Sequence, residues 1–257
     1  MPQVRGRLTN EIWAKHLIHN EENVYISKMF EMITPAALKA KVAMLKANRE
    51  FRELDKRLLQ DPKNSTVTFA KTFFWAASIL GVHAPELYVR SDIPGSVLAV
   101  PMLPAASVAG QSVLTGFQPQ ELTFICGKHL ASYRGEHYIR TLFSTQAELT
   151  VMLFAAVMLA APHAPMPPDM AQQIRMTAQE LARFMEPVQL EGLRAVVKRF
   201  IEDGAKANMK RWNCGRDSFL RNRTAPAAAA PCSWNTFFAR STPMMLTSFM
   251  DALSFLL

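Results

Sequence analysis

The sequence predicts an α+β fold, mostly helical, with a small antiparallel sheet packed near a central helix and an all-helical segment in front. Three observations carry this expectation. Apolar residues recur at three- and four-residue spacing through most of the 257 residues, the signature of buried helix faces. The period drops to two only between Leu87 and Leu114. The stretch 119–161 reads as two helices joined by a polar turn, the second apolar on nearly every side and therefore interior. A hydrophobic content of 49% against 19% charged excludes general disorder.

Residues 1–62 read as a helical segment and 63–257 as the main domain. A first helix near 9–20 starts in a Thr9/Asn10 cap context, and a short one covers 24–32. Thr34-Pro35 then supplies a cap and a first-position proline for a long helix to about Leu59. Its stripe Leu38, Val42, Leu45 is offset by a register slip from a second, Phe51, Leu54, Leu58. Asp61-Pro62 breaks the chain, and a helix over about 66–80 ends at Gly81 in a left-handed cap.

Leu87–Val89 and Ser96–Val100 read as paired strands around a Ser91–Gly95 turn, with a third short strand at Ser112–Leu114. Pro119 opens the central helix, about 119–133, whose buried face carries Leu122, Ile125, Cys126, Leu130 and Tyr133. Glu136-His137 beside Tyr138 forms a polar cluster at a helix start, with Arg134 or Arg140 as partner of the carboxylate. A capping box, Thr145 with Glu148, starts the apolar helix to Ala161. After a proline-dense loop, Asp169 with Gln172 caps a helix to about Met185. Another runs from Pro187 to about Asp203, and Thr242-Pro243 restarts a helix to the end.

Three cysteines, Cys126, Cys214 and Cys232, with no C-x-x-C, point to a reducing compartment. The first residues lack the apolar core of a signal peptide. The longest apolar run, Val151–Pro162, is twelve residues long. A membrane span needs about 20. A cytoplasmic location is the expectation. More than half of the net charge of +8 sits in residues 198–223, where eight Lys and Arg face three acidic residues. Such a cluster suits a solvated face, or an anionic membrane or nucleic acid contact, although no RNA-binding motif, zinc finger or basic zipper accompanies it.

Chemistry, if any, falls on Gly127-Lys128-His129-Leu130-Ala131-Ser132. Helical zinc peptidases carry two histidines four apart on one helix face, with a glutamate beside the first as base for metal-bound water. The succession ELYVR, IPGSVLAVP, SVAG, ELTFICGKHLA and EHYIRTLF followed by an apolar helix resembles the M48-type zinc metallopeptidase-like domain. More particularly, it looks like degenerate versions in large bacterial multidomain proteins, where helical repeats precede the domain. The resemblance covers roughly 66–232 and implies a zincin-like fold.

Matched to the family pattern Gly-His-Glu-Leu-Ala-His, the first ligand position holds Lys128, the base position His129 and the second ligand position Ser132. The third ligand position falls near Asp217, with Arg223 near the arginine that often follows. An ammonium has no lone pair to offer a metal, and a hydroxyl is a poor zinc ligand. The resemblance therefore implies a catalytically inactive domain without cofactor, acting in protein interaction or scaffolding. The alternative is a zinc hydrolase with displaced ligands drawn from Cys126, His129, Cys214 and Asp217. A Ser132, His129, Asp217 triad lacks the strained turn and oxyanion amides that activate a serine.

Overall fold

The computed structural model describes residues 6–13, 22–204 and 209. Among these the fold is α+β and mostly helical: eight α-helices and one three-stranded sheet. The expected helix over 242–257 and most of the basic segment 198–223 lie outside the described residues.

Among the described residues the N-terminal segment shows a short turn of helix, α1 (Asn10–Ile12), which Thr9 caps by accepting from the Ile12 amide at 3.3 Å. The rest of the helix expected to residue 20 is outside the described residues. Helix α2 (Val24–Ala47) starts at Asn23, whose Oδ1 accepts from the Tyr25 and Ile26 amides. It is one helix where two are expected. Pro35 lies inside it, and the Thr34 hydroxyl donates to the Phe30 carbonyl at 2.6 Å rather than capping a new start. Burial explains the outcome. Ile26, Met29, Phe30 and Ile33 before the proline and Ala36, Ala37 and Leu38 after it enter one core. Pro35 and Glu31, whose carbonyl loses its partner to the proline ring, both face solvent.

Helix α2 also ends earlier than expected, at Ala47 instead of near Leu59. The register slip marked this break. Phe51 packs on the core of α2, whereas Leu54 and Leu58 pack on the far face of the sheet. A single 3-10 turn, Lys56–Leu58, carries the chain there. Helix α3 (Thr68–Leu80) ends at Gly81 with φ 64°, the left-handed cap read from the sequence.

The sheet is mixed, which corrects the purely antiparallel expectation. Strands β1 (Glu86–Val89), β2 (Val97–Val100) and β3 (Ala106–Ala109) lie in the order β1-β3-β2. Strand β3 runs parallel to β1, with Tyr88 opposite Val108, and antiparallel to β2, with Leu98 opposite Val108. The expected hairpin partners are thus separated by a strand that inserts between them. The expected third strand at 112–114 is displaced: Gln111–Val113 forms a 3-10 turn and Val113 is buried. Ala106, Ser107 and Ala109 are fully buried, and small side chains of this kind fit the middle of a sheet covered on both faces.

Helix α4 (Pro119–Ala131) begins where Glu121 accepts from the Gln118 amide at 2.8 Å. A short helix α5 (Gly135–Leu142) follows, then α6 (Gln146–Ala160), which starts at the expected Thr145/Glu148 box. After a 3-10 turn at Pro168–Met170, α7 (Ala171–Phe184) begins without the expected side-chain cap from Asp169. Helix α8 (Pro187–Glu202) ends at Gly204, φ 57°.

Two main cores result. In the larger, α2 packs against α5, α6, α7 and α8, so this part of the segment before residue 62 is built into the interior. In the second, α3, α4, Trp13 and the inner face of the sheet meet. Helix α4 is therefore supported by α3 and β3, while α6 lies in the other core. A small third cluster on the outer sheet face joins Tyr88, Ala106 and Val108 to Leu54 and Leu58.

Candidate functional site

The residues matched to the peptidase positions lie at the end of α4, where it faces β3. Lys128 is half-buried. The Ser132 hydroxyl donates to the His129 carbonyl at 2.5 Å, and Ser132 itself is the C-cap of α4. That oxygen serves to end a helix. Cys126 is fully buried in the second core, and burial pushes its thiol well above the usual range, so it behaves as a small hydrophobe. Asp217 and Cys214 lie outside the described residues. Among the described residues no group of three or more His, Cys, Asp or Glu is arranged to hold a metal ion.

His129 is the centre of a different arrangement. Its Nε2 lies 2.8 Å from Ser107 Oγ on β3, and Ser107 Oγ lies 2.8 Å from the Tyr133 hydroxyl. The Tyr133 hydroxyl donates to the Ala106 carbonyl at 2.7 Å. Counting protons sets the direction of the chain. Tyr133 has one hydroxyl proton, and Ala106 takes it. Ser107 must then donate to Tyr133, so His129 must donate its Nε2 proton to Ser107. An Nε2 bearing that proton has no lone pair for a metal and cannot take a proton from Ser107. The residues at the two matched ligand positions therefore do not fit a zinc ion of the family type, an ammonium at Lys128 and a capping hydroxyl at Ser132, and at the base position His129 Nε2 is committed as a donor.

The surroundings are apolar and aromatic. The His129 ring meets Tyr133 edge-on at 5.4 Å and Phe73 at 6.2 Å, and Tyr133 stacks on Tyr138 at 4.8 Å. Burial raises the Tyr133 phenol well above its ordinary value, against the opposing pull of the Ser107 hydroxyl that donates to it. Burial alone pushes Tyr138 up to about 12.

A second polar cluster lies where α5 meets the start of α2. Glu22, Glu136 and Arg140 are all buried. The Arg134 guanidinium bonds Glu136 at 2.6 Å, the pairing expected from sequence with Arg134 as the partner. The Ser27 hydroxyl donates to Glu22 at 2.6 Å, and His137 Nε2 lies 3.7 Å from the same oxygen. Burial raises the Glu22 carboxyl; the Ser27 hydrogen bond and the nearby Arg140 charge oppose the shift. A shallow cleft of about 200 Å³ beside this cluster is lined by Asn10, Glu31, Gly81, His83, Arg134 and Glu136.

Sequence reasoning missed Ser107 and the phenol of Tyr133. Tyr133 was legible, because it follows His129 by four residues and shares its helix face. Ser107 was not, because its strand was expected several residues later. Comparison with known protein families, characterised proteins and solved structures finds no match to this chain.

Proposed function

We propose that this chain is a peptidase-like domain that does not hydrolyse peptides and serves instead as a protein-binding scaffold. The observation that carries the reading is the use made of the site positions. His129 gives its Nε2 proton to Ser107, Ser132 caps its own helix, and the ammonium of Lys128 stands where a ligand would have to donate electrons. The residue at the base position is spent here on fixing α4 to β3, and the one at the second ligand position on ending α4. What such a domain retains is a rigid helical surface, and protein is the partner class we assign to it.

The test is metal content together with hydrolysis. The chain purified without chelator should carry well under about 0.1 zinc per chain, whereas a true zinc site binds tightly enough to stay filled through purification. It should also leave a mixed peptide library uncut when zinc is supplied. Stoichiometric zinc, lost together with stability in His129→Ala, would overturn the proposal and favour a hydrolase with displaced ligands.

A further inference from the structure

We propose that the sheet edge left uncovered among the described residues, strand β2, pairs with β2 of a second copy of this chain, joining two three-stranded sheets into one of six strands across a two-fold axis at Leu98. The inference is independent of the peptidase-like reading.

The two sheet edges differ. Strand β1 is covered by its own chain: Leu59 bridges to Tyr88, and the Gln60 amide donates to the Leu87 carbonyl at 2.8 Å. Strand β2 has no such cover among the described residues. Its register with β3 determines which groups point outward. The Gly110 amide donates to the Ser96 carbonyl at 2.8 Å, and an antiparallel ladder alternates from there. Leu98 and Val100 therefore bond inward to β3, and the N–H and C=O groups of Val97 and Ala99 point away from the sheet.

Those two donors and two acceptors bracket Leu98, whose side chain is 57% exposed. The arrangement is complementary to itself. A second copy, antiparallel about an axis through Leu98, sets Val97 against Ala99 on both sides of that axis, and each pair exchanges both of its bonds. The two Leu98 side chains meet across the axis as a non-hydrogen-bonded pair, the closer kind.

Charge does not oppose a second copy at this edge. A chain of net charge +8 repels itself over much of its surface, but residues 93–120 carry no charged side chain. Sheet edges that resist self-pairing are commonly guarded by lysine or other charges, and β2 has none. Leu103, 53% exposed just past the strand, adds apolar surface. The paired length is only about 13 Å, and such an interface falls short of the roughly 800 Å² per partner of a standard one. The association is therefore weak and concentration-dependent.

Sedimentation velocity on the full chain, in a series reaching about 0.5 mM, covers the weak end of specific association. The mean mass should rise from 28.8 kDa toward twice that value. Leu98→Lys sets two like charges face to face and should weaken the dimer at least about tenfold. Ala99→Pro removes an outward donor without touching the β2–β3 bonds and should do the same. A mixture of Leu98→Lys with Leu98→Glu should restore the dimer, as only residues facing each other on the axis can. Thermal melts check that the variants fold, and the exposed Leu98 pair decides if Ala99→Pro does not. A wild type monomeric throughout, or a dimer indifferent to Leu98→Lys, overturns the proposal. Val97 and Ala99 amides that gain exchange protection only with an added extended peptide assign the edge to a peptide and overturn it equally.

Discussion

Ser107 holds one hydroxyl proton between two neighbours, and the direction in which it points sets the chemistry of the residue across from it. With the Tyr133 proton given to Ala106, the Ser107 proton goes to Tyr133 and His129 is left as a donor. Ser107→Ala strands the His129 N–H and a phenol lone pair in a buried place, at a cost of about 1–3 kcal/mol in urea unfolding. Tyr133→Phe should have a different signature. It frees the Ser107 proton to turn toward His129, which can answer by changing tautomer. The ¹⁵N spectrum of His129 should show an Nε2–H imidazole in the wild type and an Nδ1–H imidazole in Tyr133→Phe. An Nδ1–H tautomer already present in the wild type would refute the proton count. The helix half of this network could be read from sequence, because position i+4 is fixed by helix geometry. The strand half could not, because Ser107 lies in a run of small residues that mark neither face.

At the scale of elements, helix α2 shows why local signals misplace a boundary. Thr-Pro is a common helix start, and here apolar burial on both sides of it outweighs the lost hydrogen bond. The same reasoning gives a prediction. Pro35→Ala restores an amide that can reach the Glu31 carbonyl on the exposed face, and should raise stability by about 1–3 kcal/mol in thermal or urea unfolding. A loss of stability would mean that the ring itself makes a contact that matters. Capping was read correctly at Thr145/Glu148 but not at Asp169, where a 3-10 turn leads into α7. The strand order was not, because insertion of β3 between β1 and β2 depends on tertiary packing. The α2–α5 contact carries a pH dependence. Burial raises the Glu22 carboxyl above its ordinary 4.5, so between that value and its folded value the native state holds more protons than the unfolded chain. Stability contributed by this group is full below 4.5 and declines as pH rises through the folded value. Glu22→Gln should flatten that decline in melts taken from about pH 4, near the ordinary carboxyl value, up to about pH 8. An unchanged profile would assign the slope elsewhere.

For the whole molecule, the question is what ties the second core to the first. The all-apolar helix α6 and the spacing in α4 were legible as buried, yet no local pattern assigns them to different cores, because that depends on contacts far apart in sequence. The N-terminal segment is one such tie. The Leu8 amide donates to the Ile79 carbonyl at 2.7 Å, and the Trp13 indole to the Leu80 carbonyl at 3.3 Å. These satisfy carbonyls at the C-terminal end of α3 that would otherwise lack partners. The Arg134 guanidinium lies 4.6 Å above the Trp13 ring and bonds Asn10 and Glu136, so the same segment reaches α5 and the larger core. Gly81 is the narrow point. Its φ of 64° suits glycine, and a Cβ there would stand 2.7 Å from the Leu8 carbonyl oxygen, which is backbone and cannot rotate away. Gly81→Ala should therefore cost more than the about 1–2 kcal/mol of a left-handed residue alone, since the strap must also shift. Its mark should be local: faster exchange of the Leu8 amide and of the Trp13 indole N–H, with exchange at the centre of α2 lowered only by the global loss of stability. If Leu8 and Trp13 keep their protection while stability falls by no more than the backbone term, the close approach carries no strain and the N-terminal segment is not a tie between the cores.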